Sequence, residues 1–168
     1  MKWINFYDNN QLGIYGLITG NLVRVNSVAE MVEYVLNVGE SCELFLFGNG
    51  GENYQSIGAG ANIDNSGDRS LQLDANGKLL GSAAIWLPKM SKYVQKIHLK
   101  GLDTENSKST MLMLEVGKAL GIGTWVYGNH SLLIYKGDRT QPFRRATESA
   151  TMDREAMHKR LSLYTNNG

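Results

Sequence analysis

Short apolar runs alternate with longer amphipathic stretches along this chain, and the change of period marks out the elements. WINFY (3–7), GIYGLI (13–18) and NLVRV (21–25) are rich in β-branched and aromatic residues and read as strands. Thr19-Gly20 supplies a turn between the second and third, so the opening is expected to be an antiparallel meander, or an edge strand with a hairpin. The period then lengthens. Val28, Met31, Val32, Val35 and Leu36 follow the stripe of a helix that buries one face. Ser27 followed by Glu30 is a capping-box pattern at its start, and Gly39 is a natural stop.

ELFLF (43–47) is apolar at successive positions, as expected of a strand buried on both faces of a parallel sheet. A polar stretch from Gly48 to Lys78 follows, with a short hairpin expected around YQSIGAGANI and SLQLDANGKL. Residues 79–94 have a helical pattern that Pro88 must interrupt. KIHLK reads as a strand, STMLMLEVGKALG as a helix ending near Gly121, and GTWVYG and SLLIY as strands. Residues 140–168 form a polar tail with one expected helix, MDREAMHKRLSLY.

The alternation of strand and helix from Glu43 to Tyr127 predicts an α/β fold with right-handed crossovers. The expected architecture is a three-layer αβα domain with a central, mostly parallel sheet. A chain of 168 residues fits one such domain. Ligands of open α/β sheets sit beyond the carboxyl ends of the strands. Three glycine-led loops are expected there: GNGGENYQ (48–55), GLDTENSKS (101–109) and GNHS (128–131). They carry the candidate binding residues Asn49, Gly50, Asn53, Leu102 and Thr104, with Asp103, Glu105, Ser107 and His130 beside them.

ELFLFGNGG, and further on KIHLKGLDTENSKSTMLMLEVGKALGIGTWVYG, resemble the caspase–gingipain–clostripain superfamily of cysteine peptidases and the related caspase-like domains of bacterial surface and effector proteins. The resemblance covers about residues 42–128 and rests on pattern and spacing. In that family one strand ends in a His-Gly pair and a later one in a Gly-Cys or Ala-Cys pair, giving a dyad across the ends of adjacent parallel strands. Here Asn49 stands at the histidine position and Leu102 at the cysteine position. A thiolate attacks and an imidazole moves protons; an amide and an isobutyl group do neither. The resemblance therefore implies a degenerate caspase-like domain acting as a binding or regulatory module, with a role in a bacterial effector or toxin system as one setting. One alternative is a hydrolase with a rebuilt site, in which His130 is the base, Asp103 its orienting carboxylate, and Ser107 or Thr104 the nucleophile. The other is a small interaction or immunity-type protein.

Composition narrows the partners. The net charge of +1 gives no electrostatic case for nucleic acid or an acidic membrane, which leaves a protein or peptide. LLGSAAIWL is too short to span a bilayer, and MKWINFYDNN has no long apolar run, so the chain is expected to be cytoplasmic or exported without a classical signal peptide. Cys42, the one cysteine, reads as a small buried hydrophobe. No cofactor or metal is expected. GNGGENYQSIGAG invites a phosphate-loop reading but lacks the Gly-Lys-Ser/Thr ending. DNSGDRSLQLD offers Asp64, Asp68 and Asp74 but has Arg69 at the glycine position of a calcium loop and lacks the closing glutamate. His98 is expected to be packed in its strand, and Asn129-His130-Ser131 is a formal glycosylation sequon.

Overall fold

The computed structural model describes residues 1–10, 22–60, 66–102, 107–129, 132–135, 137 and 143–145, with the backbone alone for 107 and 143–145. In chain order the elements are β1 (Lys2–Asp8), β2 (Leu22–Val25), α1 (Val28–Val38), β3 (Cys42–Phe47), β4 (Tyr54–Ser56), β5 (Ser70–Gln72), α2 (Ser82–Trp86), a 3₁₀ turn (Leu87–Met90), β6 (Val94–Leu99), α3 (Ser107–Leu120), β7 (Trp125–Tyr127), β8 (Leu132–Tyr135) and β9 (Phe143–Arg145).

Local signals explain most of these boundaries. Ser27 caps α1 by accepting from the Glu30 N–H, while Glu30 Oε2 accepts from the backbone N–H of Asn26 rather than of Ser27. The capping box is thus closed one residue early. Gly39 ends the helix at φ 67° and donates to the Val35 carbonyl. Pro88 is the second residue of the 3₁₀ turn that splits the 79–94 pattern into two short pieces, and Val94 already belongs to β6.

The strand order is β2-β1-β3-β6-β7-β8-β9, seven strands among the described residues. The first five run parallel; β8 and β9 are antiparallel to their neighbours. The expected antiparallel opening is corrected here. β1 lies inside the sheet and pairs in parallel with both β2 and β3. Both sides of its pleat are largely apolar, Asn5 being the polar exception between its ends, which suits an inner strand, and such a pattern does not specify which strand lies alongside. GIYGLI and the tail helix lie outside the described residues. Within the tail, Phe143–Arg145 supply an edge strand instead of loop.

After β2 the chain steps always in the same direction, to β3, β6 and β7. Right-handed crossovers then put all the intervening helices on one face. Accordingly α1 packs on α2 and on the 3₁₀ turn, and that turn packs on α3. The main core lies between this layer and the side chains of Ile4, Phe6, Leu44, Leu46, Ile97 and Leu99. Each such buried side chain contributes about 1.5–3 kcal/mol. The opposite face carries two smaller apolar groups, Tyr7, Phe45 and Phe47 on one half and Tyr127, Leu132 and Ile134 on the other. The molecule is therefore a mixed α/β fold on a mostly parallel sheet, and among the described residues the helices form a single layer.

Candidate functional site

The direction of strand addition reverses between β1 and β3, which makes their carboxyl ends the switch point where an open sheet forms a crevice. Asp8 is the last residue of β1 and is buried there. Its carboxylate accepts from the Ser56 hydroxyl, from the Gly60 N–H at 2.9 Å and from the Asn10 N–H at 2.7 Å. Asn10 Nδ2 donates to the Gly58 carbonyl at 2.6 Å, and Asn49 Nδ2 to the Gly60 carbonyl at 3.1 Å. Ser56-Ile57-Gly58-Ala59-Gly60 is thereby strapped across the crevice. Gly58 runs so close to the backbone of Asn26 that a Cβ there would overlap it. Between Asp8, Phe47, Ser56 and Ile57 no room is left for a water molecule. The glycine-rich loop does cradle an anion, but the anion is the protein's own carboxylate.

The turns after β3 and β6 are closed as tightly. Gly50 lies against Gly101 so closely that a Cβ on Gly50 would fall inside the Gly101 carbonyl. The Gly101 N–H donates to Gln55 Oε1 at 2.8 Å, while Gln55 Nε2 donates to the Ser56 carbonyl at 3.1 Å. Asn129 Nδ2 donates to the Leu102 carbonyl at 3.0 Å, and the Ser109 hydroxyl to the Glu52 carbonyl. The described parts of the three expected loops meet at one rim, and among them the Gln55 and Asn129 amides and the Ser109 hydroxyl are used in bonds within that rim.

No family model, curated protein or solved structure matches this chain.

The candidate residues fall into three groups. Asn49, Gly50 and Leu102 converge, and each has a structural use: Leu102 is fully buried in the main core. Asn53 is exposed on the rim, beside a Glu52–Lys108 ion pair of 3.7 Å. Asp103, Thr104 and His130, and the Ser107 side chain, lie outside the described residues. The Asn129 amide, the acceptor of the formal sequon, is held by its bond to Leu102. Among the described residues no three His, Cys, Asp or Glu side chains gather as metal ligands. Asp68 takes the Ser82 hydroxyl, and Asp74 Oδ1 takes the N–H groups of Asn76 and Lys78, so both serve turns. No described helix is long and apolar enough to cross a membrane.

One polar constellation escaped the sequence reading. Parallel pairing places Asn5, Phe45, His98 and Tyr127 in one row across β1, β3, β6 and β7. The His98 ring is stacked between Phe45 and Tyr127, with both centroid distances 4.2 Å. Its Nε2 lies 2.6 Å from Glu43 Oε2, and both side chains are 2% exposed. His98 Nδ1 and the Asn5 amide have no hydrogen-bond partner among the described residues. Burial lowers the His98 pKa below its ordinary 6.5, against the opposing pull of Glu43. The available signal was Glu43 itself, a carboxylate within a strand otherwise apolar on both faces. On the other side of β3, Cys42 donates to the Tyr93 carbonyl, and burial, aided by Glu40, pushes its thiol up to about 11. It packs as the small hydrophobe expected and is a poor nucleophile in the fold.

Proposed function

We propose that the protein is a caspase-like domain without the usual dyad, acting as a binding or regulatory module for another protein or peptide. The observation that carries this reading is the backbone contact of Gly50 with Gly101. In the resembled family a dyad spans the ends of adjacent parallel strands, and β3 and β6 are adjacent and parallel. In this chain those two ends carry Asn49 and Leu102, and the space between their turns is taken by glycine backbone. A substrate carbonyl has no place to sit there. A three-layer arrangement belongs to the same proposal; burial of Phe45, His98 and Leu132 on the sheet face opposite the helices supports it. So does a setting in a bacterial effector or toxin system, cytoplasmic or exported without a signal peptide.

With the crevice closed, recognition falls to the exposed rim around Glu52, Asn53 and Lys108. The test pairs catalysis with binding. The purified chain is incubated with a mixed fluorogenic peptide library, and no turnover is expected. Peptides selected on the immobilised chain should lose binding in Glu52→Ala and Asn53→Ala, and keep it in Ile85→Ala on the exposed face of α2. Peptide turnover that disappears in His130→Ala at unchanged Tm would establish the rebuilt hydrolase instead. Selected peptides indifferent to both rim variants would point to a different surface, as in an immunity-type protein.

A further inference from the structure

We infer that the Glu43–His98 pair is an acid-sensitive latch on the second face of the sheet: one more proton on the pair releases the packing that joins the two halves of that face. The geometry of the ring carries this. His98 is the piece between the Tyr7, Phe45 and Phe47 group and the Tyr127, Leu132 and Ile134 group. Stacked rings cover both of its sides, with interplanar angles of 3° and 13°, so the imidazole cannot swing out while the stack is intact.

The proton inventory follows from the partners. A hydrogen bond of 2.6 Å between Nε2 and Glu43 needs one proton between them. Nδ1 has no acceptor among the described residues. The one arrangement that leaves no N–H unpaired therefore has Nδ1 bare and Nε2–H donating to an ionised Glu43. A proton arriving from solvent at Nδ1 would create a charged donor with nothing among the described residues to accept it, against aromatic rings. The groups facing the pair from the neighbouring strands do not offset this. Lys96 on β6 and Lys100 just past its end oppose a further positive charge, and Arg24 on β2 lies over the Tyr7 ring. Tyr7 on β1 and Tyr127 on β7 present phenol rings, and the β8 side chains Leu132 and Ile134 are apolar. Because the folded-state pKa of His98 is lowered, the unfolded chain binds the extra proton first. The stability contributed by neutral His98 is complete above about pH 6.5 and is lost as the pH falls below it.

The test is NMR of the His98 imidazole from about pH 8 to about pH 4.5, with amide hydrogen exchange of β3 and β6 followed over the same range. The expected result is a neutral Nε2–H tautomer at the upper end. Protonation should set in only below about 6.5, accompanied by faster exchange of both strands. In Glu43→Gln the amide oxygen still accepts but the charge is gone, so His98 should titrate about one to three units lower. In the double variant His98→Phe/Glu43→Leu the exchange should lose its acid step. The inference is overturned if His98 is already an imidazolium near pH 8, if Glu43→Gln leaves the titration in place or raises it, or if the double variant opens along the wild-type profile. Should the double variant not fold, the wild-type and Glu43→Gln titrations decide on their own.

Discussion

Asp8 shows how much one side chain can settle. Nothing in the sequence singled it out, and it is the buried acceptor that fastens the 56–60 strap. Truncating it leaves the Ser56 hydroxyl and the Gly60 and Asn10 N–H groups without their acceptor. Asp8→Ala is expected to cost about 2–4 kcal/mol in urea denaturation, since each stranded donor costs about 1–3 kcal/mol less whatever water recovers. The same variant should raise hydrogen exchange at Ala59 and Gly60 more than in β6. Uniform loosening of both would mean that the strap is not a separate unit. Asn49 teaches a related point. Its position in a glycine loop at a strand end was legible in the sequence, but its use was not, because the acceptor at Gly60 lies eleven positions away across a turn.

At the scale of elements, the helices were the most legible part. α1 follows from its apolar stripe, the Ser27 cap and the Gly39 stop, all within one or two turns of chain. The hairpin of β4 and β5 was expected, but not what it does: its first strand delivers Gln55 and Ser56 into the rim. The neighbours of β1 were misread: a meander would have paired it with GIYGLI, whereas it lies between β2 and β3, because strand patterns record burial and do not say which strand is the partner. The meeting of the β3 and β6 turns gives a prediction that belongs to this scale. Gly50→Ala must push the two turns apart at the Gly101 carbonyl, and it should cost about 2–4 kcal/mol by chemical denaturation. A cost within experimental error would show that the two turns separate freely, and would weaken the case for a closed rim.

For the whole molecule, the order of strands matters more than any single motif. It puts Asn49 and Leu102 at neighbouring strand ends, and it puts the closure of the 48–60 loop over the same ends. On the proposed caspase-like reading, placing a histidine and a cysteine at these two positions should therefore not create peptidase chemistry. The double variant Asn49→His/Leu102→Cys is expected to remain inactive on peptide substrates. It should also lose about 2–3 kcal/mol, as truncation of a buried leucine usually does. Peptidase activity in that variant, blocked by a thiol alkylating agent, would mean that the rim opens to substrate.

The sequence by itself determined the α/β class, the positions of most strands and of all three described helices, and the glycine-led turns that follow β3 and β6. Those features depend on period, caps and turn residues, which act over a few neighbouring positions. Tertiary structure decided which strands are neighbours, that the rim is sealed by Asp8 and by the Gly50–Gly101 contact, and that Glu43 meets His98 fifty-five positions away. No local preference specifies such pairings. They arise only when strands distant in the chain take up one register, and in that register a carboxylate that looked out of place in an apolar strand finds the imidazole it bonds.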